Sequence, residues 1–259
     1  MTSSKTEQPS QAVETGLLAA FATVWRWTYE GSPEFVCLAT NLGRGRYAVV
    51  SDGGIKNPWG HSYGPFSDLY ISSSFDGSNP PSDLSPVRSS YETPLSPVSL
   101  LTLAGESQHL LPSPKIATMG AIEQTRNASV WRMGFSRGVF PDQDKSIERP
   151  AHVTRGYINR PPARGQFRGA SDPLYETRSI IVDCCFDYPG RCDFGAPVCA
   201  DDGGLAGVLV GHDTSSGYTH IGYYVPAELI LPFIDLENSL AKRSGGVFGV
   251  YEPVVQTRE

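Results

Sequence analysis

The segment Cys192-Asp-Phe-Gly-Ala-Pro-Val198 is the most informative part of this sequence. It leads through Pro197-Val-Cys-Ala200 into Asp201-Asp-Gly-Gly204, a composition typical of a tight turn, and then into Leu205-Ala-Gly-Val-Leu-Val210. Two short apolar runs on either side of such a turn predict a β-hairpin. A tyrosine-rich strand, Tyr218–Val225, is predicted to follow it.

The residues after this strand predict a helix. Pro226 stands where a helix begins, and an amphipathic pattern continues toward Lys242 and Arg243 and ends near Gly245. Upstream, short apolar runs bounded by turn residues predict further strands at 35–40, 46–50, 98–103, 128–133 and 179–183. Many short strands with one terminal helix indicate an all-β barrel fold.

The composition agrees with a turn-rich β protein. Of its 259 residues, 27 are glycine and 21 are proline, well above the ~12% that these two residue types make up on average. With 39% hydrophobic and 19% charged residues, the chain resembles neither a disordered protein nor a coiled coil. A chain of this length buries a core without needing disulfides. Its net charge of −6 argues against a general affinity for nucleic acid.

The cysteines and the N-terminal region predict a cytoplasmic protein. Five cysteines, an odd number that includes the neighbours Cys184 and Cys185, fit reduced thiols better than a disulfide framework. The apolar run 16–25 lacks the positively charged leader of a signal peptide. No apolar run approaches the ~20 residues that a membrane-spanning helix needs, so no membrane association is expected.

Two segments of unusual composition are predicted to be irregular. Residues 76–97 contain five prolines among many serines, which is typical of a surface insertion. Residues 149–168 contain five arginines and no acidic residue, together with Tyr157 and Phe167. Such a mixture occurs on surfaces that bind single-stranded RNA. Because the chain is acidic overall, a solvated arginine loop is favoured and RNA binding is the weakest of the functional hypotheses.

The order of motifs in the last third resembles the C-terminal part of the chymotrypsin-like serine proteases. In that family Gly-Asp-Ser-Gly-Gly-Pro-Val precedes a hairpin and a C-terminal helix, and Cys192-Asp-Phe-Gly-Ala-Pro-Val198 takes its place here. The sequence looks closest to the intracellular trypsin-like domains of filamentous fungi, which carry Gly-Asp-Ser-Gly-Ser and a similar Pro-Ala turn. The resemblance implies a chymotrypsin-like double β-barrel with a C-terminal helix.

The resemblance also implies the domain boundaries. A flexible N-terminal tail, 1–15, is expected before a first barrel over 16–125, which holds the Pro/Ser-rich insertion 76–97. A second barrel with the C-terminal helix is expected over 126–245, followed by a C-terminal tail, 246–259. No cofactor is implied, and the expected partner is a protein or a peptide.

The residues at the family's three catalytic positions do not support hydrolysis. The nucleophilic serine falls on Phe194, the general-base histidine on Gly53 (or on Gly54 with a shift of one residue), and the orienting aspartate on Pro97. Hydrolysis needs an oxygen or sulfur nucleophile, an imidazole base and a carboxylate that orients the base, and these residues supply none of them. The resemblance therefore implies a pseudoprotease, a catalytically inactive homologue that binds a protein or a peptide.

The alignment also implies a binding cleft. The predicted cleft residues are Asp193, Phe194, Gly195, Gly211, His212 and Asp213. An extended peptide can add to the strand edge along 211–217 without any catalysis. If the nucleophile turn is retained, the Phe194 ring plugs the cleft or lines a hydrophobic pocket. If the turn is remodelled, the ring belongs to the core.

Cys192 supports a different hypothesis, an active protease with a cysteine nucleophile. Pro189-Gly-Arg-Cys192 aligns with Pro-Gly-Asp-Ser when the motif is shifted by two residues. A thiolate nucleophile needs an imidazole nearby, and none of the five histidines stands at the family's histidine position. A metal cluster is not expected, because the cysteines at 184, 185, 192 and 199 lack the paired spacing of structural zinc sites.

Overall fold

The computed structural model describes residues 8–27, 31–50, 68–73, 81–92, 97–103, 113–117, 128–134, 152–168, 174–186, 193–212 and 221–234. They begin with the helix α1 (Gln11–Ala20). The next six elements are the strands β1 (Phe21–Trp27), β2 (Pro33–Gly43), β3 (Arg46–Val50), β4 (Leu69–Ser72), β5 (Ser85–Glu92) and β6 (Val98–Leu103). The remaining strands are β7 (Ser129–Gly134), β8 (His152–Arg168), β9 (Leu174–Phe186), β10 (Pro197–Ala200), β11 (Leu205–His212) and β12 (Ile221–Pro226).

These strands form two closed barrels. The first has the order β1-β2-β3-β6-β5-β4 and the second the order β7-β8-β9-β12-β11-β10, each closed by pairing of its first and last members. In both barrels the first three strands are neighbours in chain order, and the next three strands lie beside them in reverse chain order. Closure leaves neither barrel with a free outer strand. The predicted all-β barrel architecture is confirmed.

The strands β1 and β2 are apolar on both faces because both faces are buried. On one face, Val24 and Val36 belong to the core of the first barrel. On the other face, Trp25 and Leu38 belong to a second core that also includes residues of α1 and of the second barrel. Such double burial removes the alternation of apolar and polar residues that marks a half-buried strand.

The helix α1 corrects the prediction of a flexible tail over 1–15. The hydroxyl of Ser10 caps the helix by accepting a hydrogen bond from the backbone N–H of Val13 at 3.3 Å. Val13, Leu17 and Ala20 form a buried stripe that packs against strands of both barrels. Tertiary packing therefore orders a segment whose polar composition predicted a tail; the first seven residues lie outside the described part of the chain.

The segment 76–97 is not wholly irregular, because β5 lies within it. β5 pairs with β4 and with β6 and thereby helps to close the first barrel. Its proline, Pro86, is the second residue of the strand, near the end where proline is tolerated. Residues 76–80 and 93–96 of the predicted insertion lie outside the described residues.

The segment 149–168 is also a strand rather than the predicted arginine loop. Most of it is β8, which pairs with β7 and β9. Pro161 and Pro162 fall within a shift of register between β8 and β9, and such irregularities accommodate residues that cannot donate to the ladder. The two prolines therefore lie at an irregularity of the strand rather than in a loop.

The predicted C-terminal helix begins after Pro226. Residues 227–234 are helical, and Ala227, Ile230 and Ile234 pack into the core shared by the two barrels. The rest of the predicted helix and the tail 246–259 lie outside the described residues. No helix within the described ranges has the length and apolar character needed to cross a membrane.

Candidate functional site

The segment 193–196, which includes the position that the alignment gives to the nucleophile, forms a tight turn before β10. The N–H of Ala196 donates to the carbonyl of Asp193 at 3.0 Å, and Gly195 has φ +92°, in the region that favours glycine. The N–H of Gly195 donates to the carbonyl of Leu209 at 2.8 Å, and the N–H of Leu209 donates to the carbonyl of Ala196 at 2.9 Å. These bonds tie the turn to β11.

The turn lies where the two barrels meet. The hydroxyl of Thr40, on β2, donates to the carbonyl of Gly195 at 2.7 Å, and this bond is buried. A Cβ atom on residue 195 would lie 2.1 Å from the carbonyl oxygen of Leu38, also on β2. The backbones of the two barrels therefore approach each other so closely at Gly195 that a residue with a Cβ atom would clash there.

A buried ion pair anchors the turn from the second barrel. The Asp193 carboxylate lies 2.5 Å from Nη1 of Arg132 on β7, and the two side chains are 2% and 1% exposed. The guanidinium also lies over the Phe186 ring, 5.6 Å from its centroid. A Cβ on Gly134 would clash with both charged side chains. Asp193, which was predicted to line the cleft, is instead held in the interior. Its buried charge is compensated by that of Arg132.

Arg132 is a residue of this site that was not predicted from the sequence. The available signal was an arginine within the apolar strand segment Val130-Trp-Arg-Met133. Arginine is almost never fully buried without a partner, so its place in a core strand indicates a buried acid. The sequence alone does not say that the acid is Asp193, because the two residues are on different strands of the fold.

Phe194 is buried within this turn, with a relative exposure of 5%. It belongs to neither of the two core clusters that the described residues form. Burial of the ring agrees both with a plug at the position that the alignment gives to the nucleophile and with a place in the core.

The register of the first barrel brings Pro97 toward the same end as the Phe194 turn. Val98, which follows Pro97, pairs with Val50, the last residue of β3. Thr40 pairs with Ala48, so the antiparallel register places Leu38, the neighbour of the turn, at the level of Val50. Gly53 and Gly54 follow β3 but lie outside the described residues.

The predicted peptide-binding edge begins at the end of β11. Gly211 is buried and pairs with Tyr223 on β12, and His212 pairs with Gly222. On the opposite edge of β11, His212 pairs with Arg168 at the end of β8. Asp213 and the residues up to 220 lie outside the described ranges. At His212 this edge is therefore occupied by another part of the chain.

Cys192, the nucleophile of the alternative hypothesis, also lies outside the described residues. Burial raises the pKa of Cys37 and of Cys199 to about 12, which favours the protonated thiol over the nucleophilic thiolate. The Cys184 thiol donates to the carbonyl of Gly222 at 3.2 Å. Among the described side chains, no group of three or more His, Cys, Asp or Glu could hold a metal ion.

Arg155, the first arginine in the described part of the basic segment, already has partners within the protein. The Arg155 guanidinium lies over the rings of Trp131 and Tyr157, 5.5 and 5.0 Å from their centroids. It also donates from Nη2 to the Ser129 hydroxyl at 2.7 Å. A guanidinium held in this way is a poor match for the freely presented charges that bind a phosphate backbone.

Two six-stranded barrels with this turn at their junction define the fold of the chymotrypsin-like serine proteases. The active form of the Rv3671c protease from M. tuberculosis has this fold, with a TM-score of 0.56 and 13% identity over 98% of this chain and 95% of that one. The MamO protease domain from Magnetospirillum magneticum has a TM-score of 0.55 and 16% identity over 85% of this chain and 98% of that one.

The HtrA-type protease AlgW with a tripeptide also has this fold. Its TM-score is 0.57, with 16% identity over 91% of this chain and 65% of that one. No family model matches the sequence, and no curated protein matches it. The structural likeness confirms the predicted chymotrypsin-like double β-barrel.

Proposed function

We propose that this protein is a catalytically inactive relative of the trypsin-like proteases that binds an extended peptide or protein segment in the cytoplasm. The observation that carries the proposal is the buried Phe194 side chain in a turn that keeps its backbone hydrogen bonds and its left-handed glycine. A benzyl side chain has no atom that can attack a carbonyl. The motif order of the last third supports kinship with the intracellular fungal domains.

The contacts of the turn support a binding role. The buried pair of Arg132 and Asp193 and the bond from Thr40 hold the turn against both barrels. The chain thus maintains the frame of a protease cleft although Phe194 and Pro97 supply no hydrolytic chemistry. Extended peptides bind such frames through backbone hydrogen bonds to a strand edge. The candidate edge in this chain begins at the end of β11, where Arg168 of β8 pairs with His212.

Backbone methylation of a bound peptide tests this mode of binding. A peptide selected from a displayed library is expected to lose about 10-fold or more in affinity when its alternate amide nitrogens are methylated, because each lost hydrogen bond changes the equilibrium several-fold. Fluorescence anisotropy measures both affinities. The control is the same peptide methylated at the other set of amides, which face away from the edge. Equal affinity of all three peptides would contradict strand addition.

A further inference from the structure

The strands β8 and β9 continue past the second barrel as a two-stranded ribbon. β8 pairs with β7 over His152–Tyr157, and β9 pairs with β12 over Val182–Cys185. Beyond these positions, residues 163–168 and 174–181 pair with each other. We call these two stretches the ribbon.

The ribbon has the features of an element that can move. An isolated two-stranded hairpin is marginally stable in water. Pro161 and Pro162 fall in the register shift between Arg160 and Ala163, where the ribbon leaves the barrel, and a break in the ladder of this kind bends a strand locally. The base of the ribbon is therefore an irregular joint rather than a continuous ladder.

The end of the ribbon docks on the candidate peptide-binding edge. Arg168, the last residue of β8, pairs with His212, the last residue of β11, on the edge opposite β12. This is the edge that an added peptide strand would use. The ribbon and an incoming peptide therefore compete for the same backbone groups.

The ribbon also has a charge that sets it apart from the rest of the chain. It carries a net positive charge, because its residues include Arg164, Arg168 and Arg178 and one acid, Glu176. Arg160, at the base of the ribbon, is registered opposite Asp183 and is not counted. The residues registered opposite Arg164 and Arg168 are Ile180 and Leu174, which are not acids. The whole chain, by contrast, has a net charge of −6. A peptide that adds beside this ribbon is favoured if it is acidic.

We propose that the ribbon is a strap that closes the β11 edge in the free protein, and that an extended acidic peptide opens it by replacing Arg168 beside His212. The strap rests on the proposed function, since it acts at the same edge. It also specifies the partner as an acidic extended segment and makes binding an exchange of one strand for another.

A reversible disulfide tests the strap. Residues paired across antiparallel strands have Cα atoms about 4.5–5.5 Å apart, within the roughly 4.4–6.8 Å that a disulfide spans. The double variant Arg168→Cys and His212→Cys is prepared with the disulfide oxidised and with it reduced. The affinity of each form for a peptide of alternating Val and Glu is measured by titration. Reduction is expected to raise the affinity about 10-fold or more, because the locked edge lacks free backbone groups. The control pair is Arg26→Cys and Glu34→Cys, which are registered across β1 and β2; its oxidation state should leave affinity unchanged.

The wild-type protein provides a second measurement that does not depend on the variant. Amide hydrogen exchange within 163–168 is expected to become faster when the Val/Glu peptide binds, because the strap is released. The strap would be overturned by slower or unchanged exchange with the peptide bound. It would also be overturned by equal affinity of the locked and reduced variants. Either result would leave the proposed function standing. Absence of binding to the wild type by any library peptide would overturn both.

The chemistry of the partner is tested with two further probes. A peptide of alternating Val and Lys is expected to bind at least about 10-fold more weakly than the Val/Glu peptide, because it brings like charge to the ribbon. Equal binding of the two would overturn the acidic assignment. If poly(U) released the strap and the Val/Glu peptide did not, the acidic-peptide assignment would be overturned in favour of a nucleic-acid partner.

Discussion

Replacing Asp193 by alanine is expected to lower the free energy of unfolding by about 3–5 kcal/mol. The substitution leaves the Arg132 guanidinium, which is 1% exposed, without its carboxylate in the interior. Removing one partner of a buried pair costs more than the pair itself contributes, because the remaining charge has neither water nor a counter-ion. Urea denaturation measures the change. The affinity for peptide should fall as well, since the contact between Asp193 and Arg132 also holds the Phe194 turn.

Two variants serve as controls for this prediction. Asp202→Ala removes an aspartate whose ion pair with Lys115 is more than half exposed on both sides, and should cost about 1 kcal/mol or less. Arg132→Met combined with Asp193→Leu removes both charges and should recover much of the lost stability. A cost for Asp193→Ala as small as that for Asp202→Ala would show that the buried pair does not anchor the turn.

Replacing Gly195 by alanine is expected to destabilise the protein by about 2–5 kcal/mol. Part of the cost comes from φ +92°, which side chains with a Cβ rarely adopt. The rest comes from the new Cβ, placed 2.1 Å from the carbonyl oxygen of Leu38. The clash pushes the turn away from β2 and disturbs the bond from the Thr40 hydroxyl. Thermal or urea denaturation measures the loss.

Gly31 provides the matched control for Gly195. Its φ is +77°, and a Cβ there would meet nothing within 4 Å. Gly31→Ala should therefore cost about 1–2 kcal/mol, the conformational part alone. The excess of about 1–3 kcal/mol in Gly195→Ala measures the clash between the barrels. Equal costs for the two substitutions would contradict the close contact at Gly195.

The hairpin at 197–210 and the helix after Pro226 could be predicted from sequence because local signals mark them. A glycine turn between two apolar runs and a proline at a helix start act within a few residues. The helix α1 and the strand β8 could not be predicted in this way. α1 is ordered by packing against both barrels, and β8 continues through Pro161 and Pro162 by a shift of register. Tertiary context overrides local composition in both cases.

The candidate site was predicted in part. The motif placed Phe194 and Gly195 in a turn, and the structure has that turn. It did not predict that Asp193 is paired with Arg132, because nothing local links β7 to this segment. The pairing of Arg168 with His212 could not be predicted either. It depends on a ribbon whose arginine-rich segment was predicted to be a loop.

The most direct test of the central claim is a search for peptide turnover. The purified protein is incubated with a peptide library and with serine- and cysteine-reactive probes, and the products are analysed by mass spectrometry. Bound peptides are expected to be recovered intact and the probes are expected to leave the Phe194 turn unlabelled, because no nucleophile stands at that position. Cleavage of a peptide that is abolished by one substitution, such as Cys192→Ala, would contradict the account.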